Sequence, residues 1–226
     1  MEKINLTQFI SNSGLCSRRQ AEELIRRGEV RVNGRLAVLG LKIDPQKDKI
    51  EANGQLIKPA EKKVYYLVNK PIGYTCTVKD IHAEKKVIDL VPPFPRVWPV
   101  GRLDRDSRGL IILTNDGDLT YKLTHPKFEH PKEYLVTLNK PITPELLLKL
   151  KQGVKLEEGL AKVDSMKQVS PTKLSITIHQ GWKRQIRRMV EAGGYKVVDL
   201  VRVRIGKIKL GELKEGKYKE LKEVLP

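Results

Sequence analysis

Residues 101–119 read GRLDRDSRGLIILTNDGDL. Three arginines and two aspartates occupy the first ten positions, and an apolar run ending in a turn follows them. Leu110 to Leu113, bounded by Gly109 and by Asn115-Asp116-Gly117, predicts a buried strand. Opposed charge set against the start of such a strand has two readings. One is a solvated, salt-bridged loop. The other is a site where a carboxylate must stay ionised away from water, which requires a guanidinium beside it. In an extended segment residues two apart share a face, so Arg102, Asp104 and Asp106 are expected to point together, opposite Leu103 and Arg105. A calcium loop fits poorly: counting from Asp104, position five is Arg108 and position twelve is Asn115 rather than Glu.

Outward from this stretch, further segments have strand character: VYYLVNKP (64–71), KEYLVTL (132–138), LSITIH (174–179) and YKVVDLVRVRI (195–205). ITPELLLKLKQG (142–153) predicts a helix with Thr143 as cap, Pro144 in the first turn and Gly153 past its end. Strands and helices neither alternate strictly nor repeat, so residues 61–226 are expected to form a mixed, mostly antiparallel α+β domain.

Residues 1–60 have a different character. Leu6, Phe9 and Ile10 have helical spacing, and SRRQ (17–20) is a capping box that opens a second helix with Ala21, Leu24 and Ile25 on its apolar face. Gly28 suits the position just past that helix. Asn33-Gly34 and Asn53-Gly54 each predict a hairpin turn. LIKPAEKK (56–63) is the expected linker to the larger domain.

The chain has 44 Lys+Arg against 27 Asp+Glu, a net charge of +17, and such a balance points to a polyanionic partner. Residues 181–210 alone carry nine basic and two acidic side chains. In the first domain Glu22–Arg26 and Glu23–Arg27 are spaced as helical ion pairs. Arg18, Arg19, Arg31 and Arg35 lack such local partners and are candidates for phosphate contact. In QGWKRQIRRMVEAGG (180–194), Ile186, Met189 and Val190 form an apolar stripe, and Arg184, Arg187 and Arg188 form a basic one opposite. Lys183, Arg184 and Arg188 are further candidates for nucleic-acid phosphate contact. No apolar run approaches the ~20 residues of a membrane helix, and MEKINLTQFI lacks the features of a signal peptide. Cys16 and Cys76 stand apart as expected free thiols, which suits the cytoplasm. His82, His125, His130 and His179 show no metal-ligand spacing, so no metal is expected.

Taken in order, LVNKPIGYTCT, VGRLDRDSRGLIILTNDGDL, HPKEYLV and RQIRRMVEAGGYKV resemble the successive motifs of RNA pseudouridine synthases of the RsuA family. LTQFISNSGLCSRRQAEELIRRGEVRVNGR is similar to the S4 (αL-type) RNA-binding module that precedes the catalytic domain in that family. The resemblance implies isomerisation of uridine to pseudouridine in ribosomal RNA, of the large subunit by its closer likeness, as free RNA or within a pre-ribosomal particle. It implies no cofactor, metal or membrane, and a chain acting as a monomer. By position, Asp104 matches the essential aspartate and Tyr134 the tyrosine that packs on the target base. Arg187 matches the basic residue that ion-pairs with the aspartate, and Arg102 the arginine that enters the RNA stack vacated by the flipped nucleotide. Gln180 stands where many members have Glu, and Trp182-Lys183 replaces a more usual polar pair, differences that bear on RNA contacts rather than chemistry. The rival reading is a non-catalytic RNA-binding protein that assists ribosome assembly. A DNA-binding regulator is disfavoured, because neither a recognition helix nor a dimer seam is evident.

Overall fold

The computed structural model describes residues 3–58, 62–77 and 84–222, and the chain divides into two compact units. The first comprises residues 1–63 with 94–96 and 115–117, and the second the remainder. Part of the expected linker and His82 lie outside the described residues.

In the first unit, helices Leu6–Asn12 and Arg18–Arg26 pack with two hairpins whose strands form a four-stranded sheet. The capping box at Ser17 forms as expected, its hydroxyl accepting from the Gln20 N–H while the Gln20 side chain accepts from the Ser17 N–H. Both Asn-Gly turns place both residues at positive φ, with Asn33 at +52° and Gly34 at +79°, the twist that matches paired strands. Leu6, Phe9, Ile10, Ala21, Ile25, Val30, Ile43 and Ile50 form the core.

The second unit is built on a nine-stranded mixed sheet. Its main order is Ser165–Ser170, Lys173–Ile178, Lys132–Leu138, Val197–Ile205, Arg108–Thr114, Tyr65–Lys70 and Tyr218–Leu221. The pairings are antiparallel except between Val197–Ile205 and Arg108–Thr114, which is parallel. Gly109 through Thr114 are all buried, which is why this strand is a continuous apolar run rather than an alternating one. Ile111 and Leu113 face one core, shared with Leu146 and Leu150 of helix Pro144–Gln152 and with Ile186, Met189 and Val190 of helix Gln185–Ala192. Ile112 faces another, with Leu119 and Leu123 of helix Gly117–Thr124.

The register also dictates one glycine. Gly109 has φ +106°, and a Cβ there would stand 2.4 Å from the carbonyl oxygen of its partner Arg202. The Gly117–Thr124 helix, the Val154–Leu156/Gly159–Ala161 hairpin and the Ser165–Ser170 and Tyr218–Leu221 strands were not anticipated. Ser165–Ser170 is an exposed edge strand, so no buried face marks it in the sequence.

Candidate active site

The chain entering the central strand turns after Asp104: the Ser107 N–H donates to the Asp104 carbonyl at 3.1 Å. The expected shared face of Arg102, Asp104 and Asp106 is therefore corrected, since the turn aims Asp106 elsewhere. A second segment brackets this loop. Gly73 N–H donates to the Arg105 carbonyl at 2.8 Å, and Leu103 N–H donates to Cys76 Sγ at 3.3 Å. Burial pushes the Cys76 thiol up, keeping the sulfur a neutral acceptor. Lys70, fully buried, ties the bracket down by donating from Nζ to the carbonyls of Pro71 and Tyr74, each at 2.8 Å. Burial lowers its pKa against the pull of nearby acids.

Asp104 faces a cavity of about 720 Å³, whose wall also includes Arg102, Tyr134, Lys183, Arg184 and two cations the sequence reading passed over, Lys132 and Arg202. Asp104 also borders a smaller cavity of about 410 Å³, with Thr75, Cys76 and Thr77. Tyr134 is buried in strand Lys132–Leu138, directly opposite Arg202 in the next strand. Lys132, two residues before Tyr134, donates from Nζ to the carbonyls of His130 and His179. Burial, and the Arg202 charge after it, hold the Lys132 pKa down.

Arg202 is only 3% exposed. Its Nε donates to the Leu110 carbonyl at 2.8 Å and its Nη1 to the Arg102 carbonyl at 3.2 Å, so one guanidinium clamps both ends of the loop that carries Asp104. Its Nη2 is buried with no partner among the described residues. The signal was present in VVDLVRVRI, where strand alternation puts Arg202 on the same face as the buried Leu200.

The expected Arg187–Asp104 pair is not formed. Arg187 Nε lies 3.4 Å from Asp106 Oδ2, Nη2 donates to the Asp106 carbonyl at 2.7 Å, and Nη1 donates to the Val197 carbonyl at 3.1 Å. The physical reason is the 104–107 turn, which presents Asp106 to the helix and leaves Asp104 without an ion pair among the described residues. Arg184 donates to the other Asp106 oxygen at 2.9 Å. Burial alone would raise the Asp106 pKa, but the Arg184 hydrogen bond and the two guanidinium charges hold it below the ordinary carboxylate range.

The expected basic stripe is also corrected. Arg184 is the left-handed cap of helix Gln185–Ala192 (φ +52°) rather than a member of it, and Arg187 is tucked beneath the loop. Arg188 holds Glu158 through two hydrogen bonds of 2.9 and 2.7 Å. In the first unit Arg27 pairs with Glu23 at 2.9 Å. Arg18, Arg19, Arg31 and Arg35 are exposed, and Arg31 donates to the Gly34 carbonyl. Among the described residues no group of three or more His, Cys, Asp or Glu could hold a metal ion, and both cysteines are free.

Residues 64–192 match the RNA pseudouridylate synthase family, and residues 5–47 match the S4 domain. The dual-specificity RNA pseudouridine synthase RluF of Escherichia coli K12 is 44% identical over 204 residues, covering 89% of this chain and 70% of that protein. The ribosomal large subunit pseudouridine synthase B of Bacillus subtilis is 42% identical, over 87% of this chain and 83% of its own. A solved pseudouridylate synthase superposes with a TM-score of 0.69 at 31% identity, covering 96% of both chains.

Proposed function

We propose, from the premise that the chain belongs to the RNA pseudouridylate synthase family, that it isomerises a uridine of large-subunit ribosomal RNA with Asp104 as its catalytic group. The observation that carries this reading is one cavity of about 720 Å³ that joins Asp104 and Tyr134 to five basic side chains. That volume lies within the roughly 300–1,000 Å³ that suits a small-molecule or nucleotide-sized group. Its wall suits a base on an anionic backbone. The reaction breaks the N1–C1′ bond, turns the uracil and joins C5 to C1′. The C5 proton leaves and N1 gains one, so the atoms balance without an oxidant or a second substrate.

A stacked uridine is out of reach of any side chain, so the nucleotide must be extruded, at a cost of a few kcal/mol. Tyr134 offers the extruded uracil an aromatic neighbour, and exposed Arg102 fills the gap in the RNA stack in this reading. Asp104, with no ion pair among the described residues, keeps its carboxylate for the sugar or base. Arg202 holds the loop from both ends, and Lys183 and Arg184 supply positive charge to the same wall. Residues 1–60 form the anchoring part in this reading, with Arg18, Arg19, Arg31 and Arg35 directed to phosphates, and residues 61–226 the chemical part. The Bacillus subtilis relative's name supports the large subunit as the source of the substrate. Two free thiols suit the cytoplasm, where the chain acts as a monomer on free rRNA or a pre-ribosomal particle.

The test is release of tritium from rRNA transcripts labelled at uridine C5, with pseudouridine mapped in the product. Release by the parent, and release lower by about two orders of magnitude or more with Asp104→Asn, is the expected outcome. Absence of release from every rRNA tried, with RNA binding intact, would favour the non-catalytic assembly factor.

A further inference from the structure

Residues 121–130 form a surface that the reaction described above does not use. Helix Gly117–Thr124 buries Leu119 and Leu123, which leaves Tyr121 facing outward. A short turn of helix, Pro126–Phe128, follows; it starts with a proline and is capped by His125, whose Nδ1 accepts from the Lys127 N–H. The result is a ring cluster held from below. Tyr121 and His125 lie 4.8 Å apart, Tyr121 and Phe128 meet edge to face at 5.8 Å, and Phe128 and His130 lie 6.2 Å apart with planes tilted by 30°.

Such rings ordinarily bury themselves. Here Tyr121 is 48% and Phe128 39% exposed, and every residue from Thr124 to Glu129 is exposed. Lys127 Nζ lies 5.1 Å from the Tyr121 ring centre and 4.7 Å from that of Phe128, close enough for cation–π attraction. The cluster adjoins the candidate active site, because His125, Pro126, Glu129 and His130 belong to the wall of the larger cavity.

We propose that this aromatic ledge stacks an unpaired base of the RNA, from the nucleotide next to the one extruded into the cavity. The proposal rests on the RNA reading of that cavity. An exposed aromatic surface beside a cation is what a single-stranded nucleic acid binds: the base takes a ring face and the cation takes the phosphate. Lys127 is already poised over the rings, and it exchanges them for the backbone when a base arrives. An apolar peptide would use the rings but leave Lys127 unpaired. The net charge of +17 likewise favours a polyanion over a neutral partner. Extrusion of one nucleotide unstacks its neighbour too, and a ledge at the cavity wall recovers that stacking where it was broken.

The experiment uses the full chain and hairpin RNAs with a loop uridine flanked on one side or the other by 2-aminopurine, a fluorescent base that reports stacking. The parent is expected to change the fluorescence of one flanking base on binding. Phe128→Ala should abolish that change and weaken binding about tenfold, the scale of losing one base–aromatic stack. Phe128→Trp should restore both. Lys127→Ala should lower the log–log salt slope of binding by about 0.7, one single-strand phosphate contact. Phe128 is exposed, so melting temperatures of the variants should match the parent and exclude unfolding. Parental affinity and signal in Phe128→Ala overturn the ledge, and so does a flanking base whose fluorescence the parent never alters. The underlying reading fails separately. A Phe128-dependent signal without tritium release from any rRNA transcript keeps the ledge and removes the synthase activity, whereas tritium release with no Phe128 dependence does the reverse.

Discussion

Several arginines of the two units are put to opposite uses. In the first unit Arg18, Arg19 and Arg35 are exposed on a small helix–hairpin scaffold, with no ion pair among the described residues. In the second, Arg184 and Arg187 hold Asp106, Arg188 holds Glu158, Arg108 holds Asp199 and Glu215, and Arg202 is sealed beneath the loop that carries Asp104. A net positive charge is thus not a single quantity available to RNA. Part of it is offered to solvent, and part fixes the geometry of a loop. The difference teaches how to read Asp104 against Asp106. The two stand two residues apart, yet among the described residues one is bound by two guanidiniums and the other by none. The unbound one borders both cavities.

The largest effect should separate those two aspartates. Asp104→Asn is nearly isosteric but cannot act as a base or nucleophile, and turnover should fall by about 10²–10⁴-fold, the scale of general acid–base catalysis. RNA affinity should stay within a few-fold, because phosphate contacts supply most of it. Asp106→Asn should instead lower the melting temperature while retaining measurable turnover. Equal loss of turnover in the two, measured by tritium release on folded protein, would erase the distinction between a reacting and an anchoring carboxylate.

The next effect concerns the buried arginines. Arg202→Met leaves the carbonyls of Leu110 and Arg102 without their donor, and an unsatisfied buried polar group costs about 1–3 kcal/mol. Both melting temperature and kcat should fall, with KM changing less, because the loop that carries Asp104 loses its clamp. Arg187→Ala should act in the same direction through the Asp106 and Val197 carbonyls. If both variants melt like the parent and show only weaker RNA binding, these arginines belong with the exposed ones.

How much of this was legible in the sequence follows from how local each cause is. The capping box at Ser17, the Thr143 cap, both Asn-Gly turns and the apolar run at Leu110–Leu113 are decided by neighbouring residues, and all took the expected form. The family motifs singled out Asp104 and Tyr134, and both line one cavity. The Arg187–Asp104 pair failed because the 104–107 turn depends on a bracket from residues 73–76, which nothing within GRLDRDSRGL encodes. For Arg202 strand alternation signalled burial, but not what the guanidinium holds. Its partners Leu110 and Arg102 lie 92 and 100 residues away, and meet it only through the parallel pairing of two strands.

A smaller effect tests the anchoring carboxylate by pH. The folded-state pKa of Asp106 is depressed, so its contribution to stability is fully present above the unfolded value of about 3.9 and is lost as pH falls through the folded one. The melting-temperature gap between the parent and Asp106→Asn should therefore be widest near neutral pH and should close below about pH 4. Asp106 is half-exposed, so the gap is modest and should narrow in high salt. A gap that persists unchanged in acid would mean that packing, and not the charge, sets the difference.

The smallest effect lies in the first unit, at arginines that form no ion pair among the described residues. Arg18→Ala, Arg19→Ala and Arg35→Ala remove exposed guanidiniums that anchor nothing within the described fold, so melting curves should be unchanged. Arg31→Ala removes one hydrogen bond to the Gly34 carbonyl in the hairpin turn and should lower stability slightly. If these side chains meet phosphates, each substitution should weaken RNA binding uniformly across sequences. It should also reduce the log–log salt slope by about 0.7–0.9 for each phosphate no longer neutralised. KM should rise while kcat holds, since an anchoring interaction made equally in ground and transition states does not alter the barrier. A salt slope indifferent to all four substitutions would move the anchoring role out of this unit. The RNA affinity would then have to come from the second unit, with Arg102 and Lys183 at the cavity wall, and the exposed arginines would only keep a small unit soluble.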